Sequence, residues 1–170
     1  MRLSWIAGLS FLVATASGAC GSTIGTDPLE ASNVQTDEQQ VSFEEVEGTT
    51  SFLSGISDRR RLVIEDQDAW LQFWAELQAM VTPVPEPPAV DFSTHVVIAA
   101  TMGQRATGGY SIRIDDISRA GERTRVIVVE TAPGPTCLTT QAFTAPATAV
   151  TVSRPAGTVE FVERNETDSC

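Results

Sequence analysis

Groups able to act as nucleophile, base or ligand are few. His95 is the sole histidine of the 170-residue chain, and the three cysteines are Cys20, Cys137 and Cys170. A Cys137–His95 pair would join a nucleophile to a base, the one covalent mechanism these side chains offer. Against it, Cys137 lies among Pro and Thr residues and has Cys170 as a candidate disulfide partner. A zinc site needs several Cys, His or carboxylate ligands at close spacing, and one histidine without such companions does not supply it. Glu44-Glu45 and Asp115-Asp116 are adjacent carboxylates, but neighbours on a strand point to opposite faces, so neither couple makes an acid/base pair. Calcium would require a denser oxygen loop, and no glycine-rich stretch carries the lysine of a phosphate cradle. No catalytic residue, metal or cofactor is therefore expected.

Cys20 has a different chemistry. Met1-Arg2-Leu3 supplies a positive charge, Ser4 to Ala16 an apolar run, and Ala14 to Ala19 a small-residue exit. These are the parts of a secretory signal, and the run is too short to span a bilayer, which takes about 20 apolar residues. Ser17-Gly18-Ala19-Cys20 is similar to a bacterial lipobox, in which the cysteine is acylated and becomes the new N-terminus. Ser17 stands where such motifs usually carry Leu, and ordinary cleavage after Ala16 or Ala19 is the alternative. Two acyl chains would anchor firmly where one holds marginally. The expected location is the cell envelope, lipid-anchored to a membrane, or else secreted.

Assigning Cys20 to lipid leaves Cys137 and Cys170, which can pair in an oxidising compartment. The bridge would close a loop worth on the order of 3 kcal/mol in the chain-entropy model and pin the C-terminus. The alternative is two thiols. The Asn165-Glu166-Thr167 glycosylation sequon has no use behind a bacterial-type signal.

All eleven basic residues are arginine, and the net charge is −11. This excludes nucleic-acid binding and adhesion to anionic lipid through a basic face. Arg59-Arg60-Arg61 is the one basic cluster, expected as a solvated start of a strand.

Three segments position these groups. Residues 1–19 are the signal. Residues 20–40 carry Gly, Ser, Thr, Asp and Gln with no aromatic or basic residue past Cys20, and form a flexible tether from the lipidated cysteine. Residues 41–170 form one globular domain. Short strands are expected at 41–46 and 61–64, then a helix capped by Asp66 or Asp68 and running to about Val81. Trp70, Phe73, Trp74, Leu77 and Met80 share its apolar face. Pro83, Pro85, Pro87 and Pro88 end the helix and make a stiff spacer. His95–Met102 is nearly all apolar, the pattern of a strand covered on both faces. Strands at 111–115, 125–129, 149–152 and 159–163 follow, the last two joined across Pro155-Ala156-Gly157. The fold class is α+β: a mostly antiparallel meander with one amphipathic helix packed on it.

Trp70-Leu71-Gln72-Phe73-Trp74, Val96-Val97-Ile98-Ala99 leading to Gly103, Gly108-Gly109-Tyr110-Ser111-Ile112, and Pro133-Gly134-Pro135-Thr136-Cys137 with Thr144-Ala145-Pro146 occur in that order. Together, over roughly residues 50–164, they resemble the PrcB C-terminal domain family, named for an accessory lipoprotein of a bacterial surface protease complex. The resemblance implies a lipoprotein or secreted accessory domain that engages an envelope protein such as a protease. It brings no catalytic residues. The alternative is a structural envelope lipoprotein or small-ligand carrier without a fixed protein partner. Gly108-Gly109 would permit a sharp turn between strands, and Arg105, Gly108, Gly109 and Tyr110 are the candidate contact loop, since connecting loops often carry contacts. No oligomeric state follows from the sequence.

Overall fold

The computed structural model describes residues 38–170. The signal at 1–19, Cys20 and the tether up to residue 37 lie outside the described residues. Chain order is β1 (Gln39–Gln40), β2 (Phe43–Glu45), β3 (Arg59–Ile64), α1 (Gln67–Leu77), β4 (His95–Met102), β5 (Ser111–Ala120), β6 (Arg123–Pro133), β7 (Ala147–Ser153) and β8 (Thr158–Asp168). Pairing begins inside the stretch expected as tether, with Gln39 and Gln40 opposite Arg119 and Ser118 of β5.

The α+β class, the mainly antiparallel pairing and the helix on a sheet face are as the sequence predicts. The connectivity is not one meander. Two four-stranded sheets form, ordered β1-β5-β6-β8 and β2-β7-β4-β3. They pack face to face, because alternate residues of both meet in one core: Val96, Ile98 and Ala100 of β4, Ile112, Ile114 and Ile117 of β5, Val126 and Val128 of β6, Val150 and Val152 of β7. The intervening β4 residues Val97 and Ala99 point the other way, into a second core under α1. The apolar run of β4 thus has the cause expected of it, burial on both faces.

Helix α1 covers that second face with Trp70, Phe73, Trp74 and Leu77. The sheet opposes them with small residues, Ala99, Ala147 and Ala149, which leave room for two indoles. Asp66 caps the helix, its side chain accepting the Ala69 N–H at 2.9 Å. The helix stops at Leu77 rather than near Val81. The Leu77 carbonyl accepts the Gly55 N–H at 3.1 Å, and the Val81 N–H turns to Gln78 O at 2.9 Å. Met80 accordingly leaves the apolar face and is exposed. The proline segment is more than a spacer. Carbonyls of Pro85 and Pro88 accept the indole N–H groups of Trp74 and Trp70 at 2.7 and 3.1 Å, so each buried ring has its polar atom paired.

The last two strands do not form the expected hairpin across Pro155-Ala156-Gly157. β7 has β4 on one edge and β2 on the other. β8 therefore crosses to the second sheet and runs parallel to β6 over its whole length, with β7 serving as the crossover that a parallel pair requires.

Gly55 sits against the end of α1, where a methyl group would collide with Glu76 O and lie 2.7 Å from Ala79 Cβ. Gly55→Ala should destabilise the domain by about 1–3 kcal/mol through overpacking, measured as a lowered urea midpoint with unchanged slope.

Candidate functional site

Two loops meet at one end of the sandwich. Residues 103–110 carry the chain from β4 in one sheet to β5 in the other, and residues 134–146 carry it back from β6 to β7. They are laced together by backbone: Arg105 N donates to Thr144 O at 2.7 Å, Thr144 N to Arg105 O at 3.0 Å, and Gly108 N to Thr140 O at 3.0 Å. At Gly108 a side chain would collide with Thr140 Oγ1, and Gly109 adopts φ +86° with Pro133 Cβ 2.9 Å from where a methyl would sit. Gly109 is needed for this approach, whereas a methyl at Gly108 would require the Thr140 hydroxyl to rotate away. Cys137 and Cys170 are joined, with Cα atoms 5.4 Å apart, which ties the 134–146 loop to the end of β8. The Cys137 sulfur is thereby withdrawn from nucleophilic chemistry. His95 opens β4, at the opposite end of that strand from the Cys137 loop, with Nδ1 2.8 Å from Thr94 Oγ1. The structure does not bring the Cys137–His95 pair together.

Beneath the loops lies an ion cluster between the sheets. The arginine triplet is not simply solvated, because strand alternation splits it. Arg60 faces α1 and pairs with Glu76 at 2.6 Å. Arg59 and Arg61 turn inward to Glu130 of β6 and Glu163 of β8. Arg61 is the hub, with its side chain 11% exposed. Its five N–H donors all find acceptors: Glu163 through Nε and Nη2, Glu130 through Nη2, and the carbonyls of Arg60 and Thr101 through Nη1. Burial works against the charge of Arg61 and is the largest single influence, yet the two glutamates together hold its pKa above the ordinary value. Burial likewise raises Glu163, but hydrogen bonds and charge from Arg61 and Arg59 outweigh it and hold that carboxylate below the ordinary range.

Arg105 joins the cluster from the loop. Its Nη2 is 3.7 Å from Glu130 Oε2, its guanidinium lies over the Tyr110 ring at 5.6 Å from the centroid, and its Nε is buried without a partner. The sequence placed Arg105 and Tyr110 in one loop; the cation–ring contact and the convergence of Arg105 on Glu130, 25 positions further on, had no local signal. Glu44 and Glu45 lie on an exposed edge strand. Asp115 is used in outward ion pairs with Arg113 and Arg164. Among the described residues no group of three or more His, Cys, Asp or Glu could hold a metal ion.

Apolar surface surrounds the same region. A groove of about 310 Å³ is lined by Leu53, Ile56, Met80, Gln104, Phe143 and Ala145. Met80 and Phe143 of this groove are 64 and 66% exposed, and Phe52 is 72% exposed; exposed apolar surface at a groove marks binding sites. A larger depression of about 480 Å³ lies at the β5–β6 hairpin, but its lining is polar and includes Glu38, Arg123 and Arg125.

A family model described as PrcB C-terminal matches residues 96–153. Over this stretch the chain is similar to that family. The stretch runs from β4 to the end of β7 and contains both laced loops, Arg105, Tyr110, Glu130 and most of the inter-sheet core; α1, β3 and β8 fall outside the match. No curated protein and no solved structure gives a match. The matched stretch is thus the part of the domain that builds the loop end, with Arg59, Arg61 and Glu163 supplied by flanking strands. Among the described residues no helix is long and apolar enough to cross a membrane.

Two measurements follow. Glu163, depressed in the fold, contributes stability that is present above the ordinary glutamate pKa and is lost as pH falls through its lower folded value. Glu163→Gln should therefore be less stable than the native chain at neutral pH, with the gap closing below about pH 4. Unequal stability of the two proteins persisting at acid pH would contradict this. Replacing both Cys137 and Cys170 by Ser should cost on the order of 3 kcal/mol, and the native chain should lose a similar amount on reduction.

Proposed function

We propose that this protein is a non-enzymatic, exported lipoprotein, anchored through acylated Cys20, whose folded domain binds a protein of the cell envelope such as a protease and supports it. The match of residues 96–153 to the PrcB C-terminal family carries the reading. The exposed apolar side chains beside the laced loops support a binding role for the same end of the domain. The loops are braced by backbone ladders and a disulfide, a geometry suited to presenting a fixed surface, since little ordering entropy is then lost on binding.

A second reading has its own observation. The groove at Leu53, Ile56, Met80 and Phe143 is apolar and of the size that small ligands occupy at the lower end, which suits a carrier without a protein partner.

Affinity capture from a native envelope extract separates the two. The binding reading expects one specific protein, retained through salt washing by the native chain and lost with Phe143→Asp, a substitution at an exposed position. Retention of an apolar small molecule with no protein would favour the carrier. Intact mass of the mature chain tests the anchor: a diacyl addition on Cys20 is expected, and Cys20→Ser should release the protein from the membrane fraction.

A further inference from the structure

We infer that Arg105, lying over Tyr110 at the edge of the inter-sheet ion cluster, is a receptor for a single carboxylate. Three guanidinium groups, Arg59, Arg61 and Arg105, face two carboxylates, Glu130 and Glu163. The cluster has one positive charge in excess within a chain of net charge −11. The excess resides on Arg105. Arg61 has every donor paired, and Arg59 contacts both glutamates at 2.8 and 2.7 Å. Arg105 has only the 3.7 Å approach to Glu130 Oε2, which is too long for a hydrogen bond, and its Nε is buried with no acceptor.

Glu130 cannot absorb this capacity. Its Oε1 already serves Arg59 and Arg61, and shortening the Nη2 contact to Oε2 would still leave Nε unpaired. The buried Nε is closed to a solute, but the Nη1–Nη2 end of the guanidinium makes no hydrogen bond to the protein and is where an incoming acceptor would bind. With its side chain 33% exposed, Arg105 remains open to solvent. It is also positioned in advance. Two backbone hydrogen bonds to Thr144 fix its main chain, and the guanidinium carbon is held over the Tyr110 ring. A planar fork with free donors matches the two oxygens of a carboxylate.

The carboxylate has two sources: an acidic side chain or chain end of a polypeptide, or a free small acid. The polypeptide source rests on the binding-domain reading above; the carboxylate chemistry does not. The test follows the Arg105 Nε–H resonance of the full folded domain by NMR. Probes are glutarate, acetyl-glutamyl-glycinamide, its glutaminyl counterpart, and sodium chloride at matched ionic strength. Saturable movement with the two carboxylates, absent with the glutaminyl peptide and chloride, is the expected result. Binding of the glutamyl peptide tenfold or more tighter than glutarate assigns the polypeptide source; equal affinity assigns free acids, leaving the receptor intact and the binding-domain reading without this support. Arg105→Lys, which keeps the charge but loses the fork, should weaken binding at least tenfold, read from glutarate protection of the thermal midpoint. No movement of the resonance with either carboxylate, or equal movement with chloride, overturns the proposal.

Discussion

β4 is apolar on both sides and must be covered on both. Every residue from Val96 to Met102 is buried, and a strand with no polar face is stable only when two other layers lie against it. One layer is the second sheet, reached through Val96, Ile98 and Ala100; the other is α1, reached through Val97 and Ala99. The helix, both sheets and the loops that connect them are arranged around this requirement. Burying the chain twice over a single central strand is how a domain of this size gathers enough apolar area to offset its conformational entropy.

Closing two sheets face to face leaves an end and an edge where the layers part. At the β3/β8 edge the apolar core gives way to Arg59, Arg61, Glu130 and Glu163. A partly buried ion cluster of this kind, with Arg61 and Glu130 enclosed and Arg59 and Glu163 reaching solvent, contributes less to stability than packed side chains would, because desolvation offsets much of the attraction. Its effect is on geometry. Arg61, from one sheet, is bonded to strands of the other through directional bonds at Nε and Nη2, so the sheets cannot slide without leaving charges unpaired.

This edge borders the loop end, where rigidity and apolar exposure coincide. The disulfide and the Arg105–Thr144 ladder hold loops that join different sheets, so their conformation is set by the sandwich and not by the loop sequences alone. Phe52, Met80 and Phe143 are presented from three separate segments on that frame. Loops held in this way are the usual location of contacts on a β scaffold.

Local chemistry in the sequence determined the elements themselves. An aspartate helix cap, the aromatic stripe of α1 and the two-faced run of β4 each follow from side-chain type and period within short windows; that Asp66 and not Asp68 caps, and that Cys137 and Cys170 are bonded and not thiols, the structure decided. The family resemblance rested on the same kind of signal, ordered short motifs. Tertiary structure decided the rest. β8 joins β6 and not β7 because β7 has both edges taken by strands distant in sequence. The helix ends at Leu77 because Gly55, 22 positions earlier, takes its carbonyl. Arg59 and Arg61 are drawn inward because Glu130 and Glu163 arrive from the other sheet. Periodicity records whether a residue will be buried; what buries it depends on which long-range pairings leave an edge free, and no short window of sequence contains that.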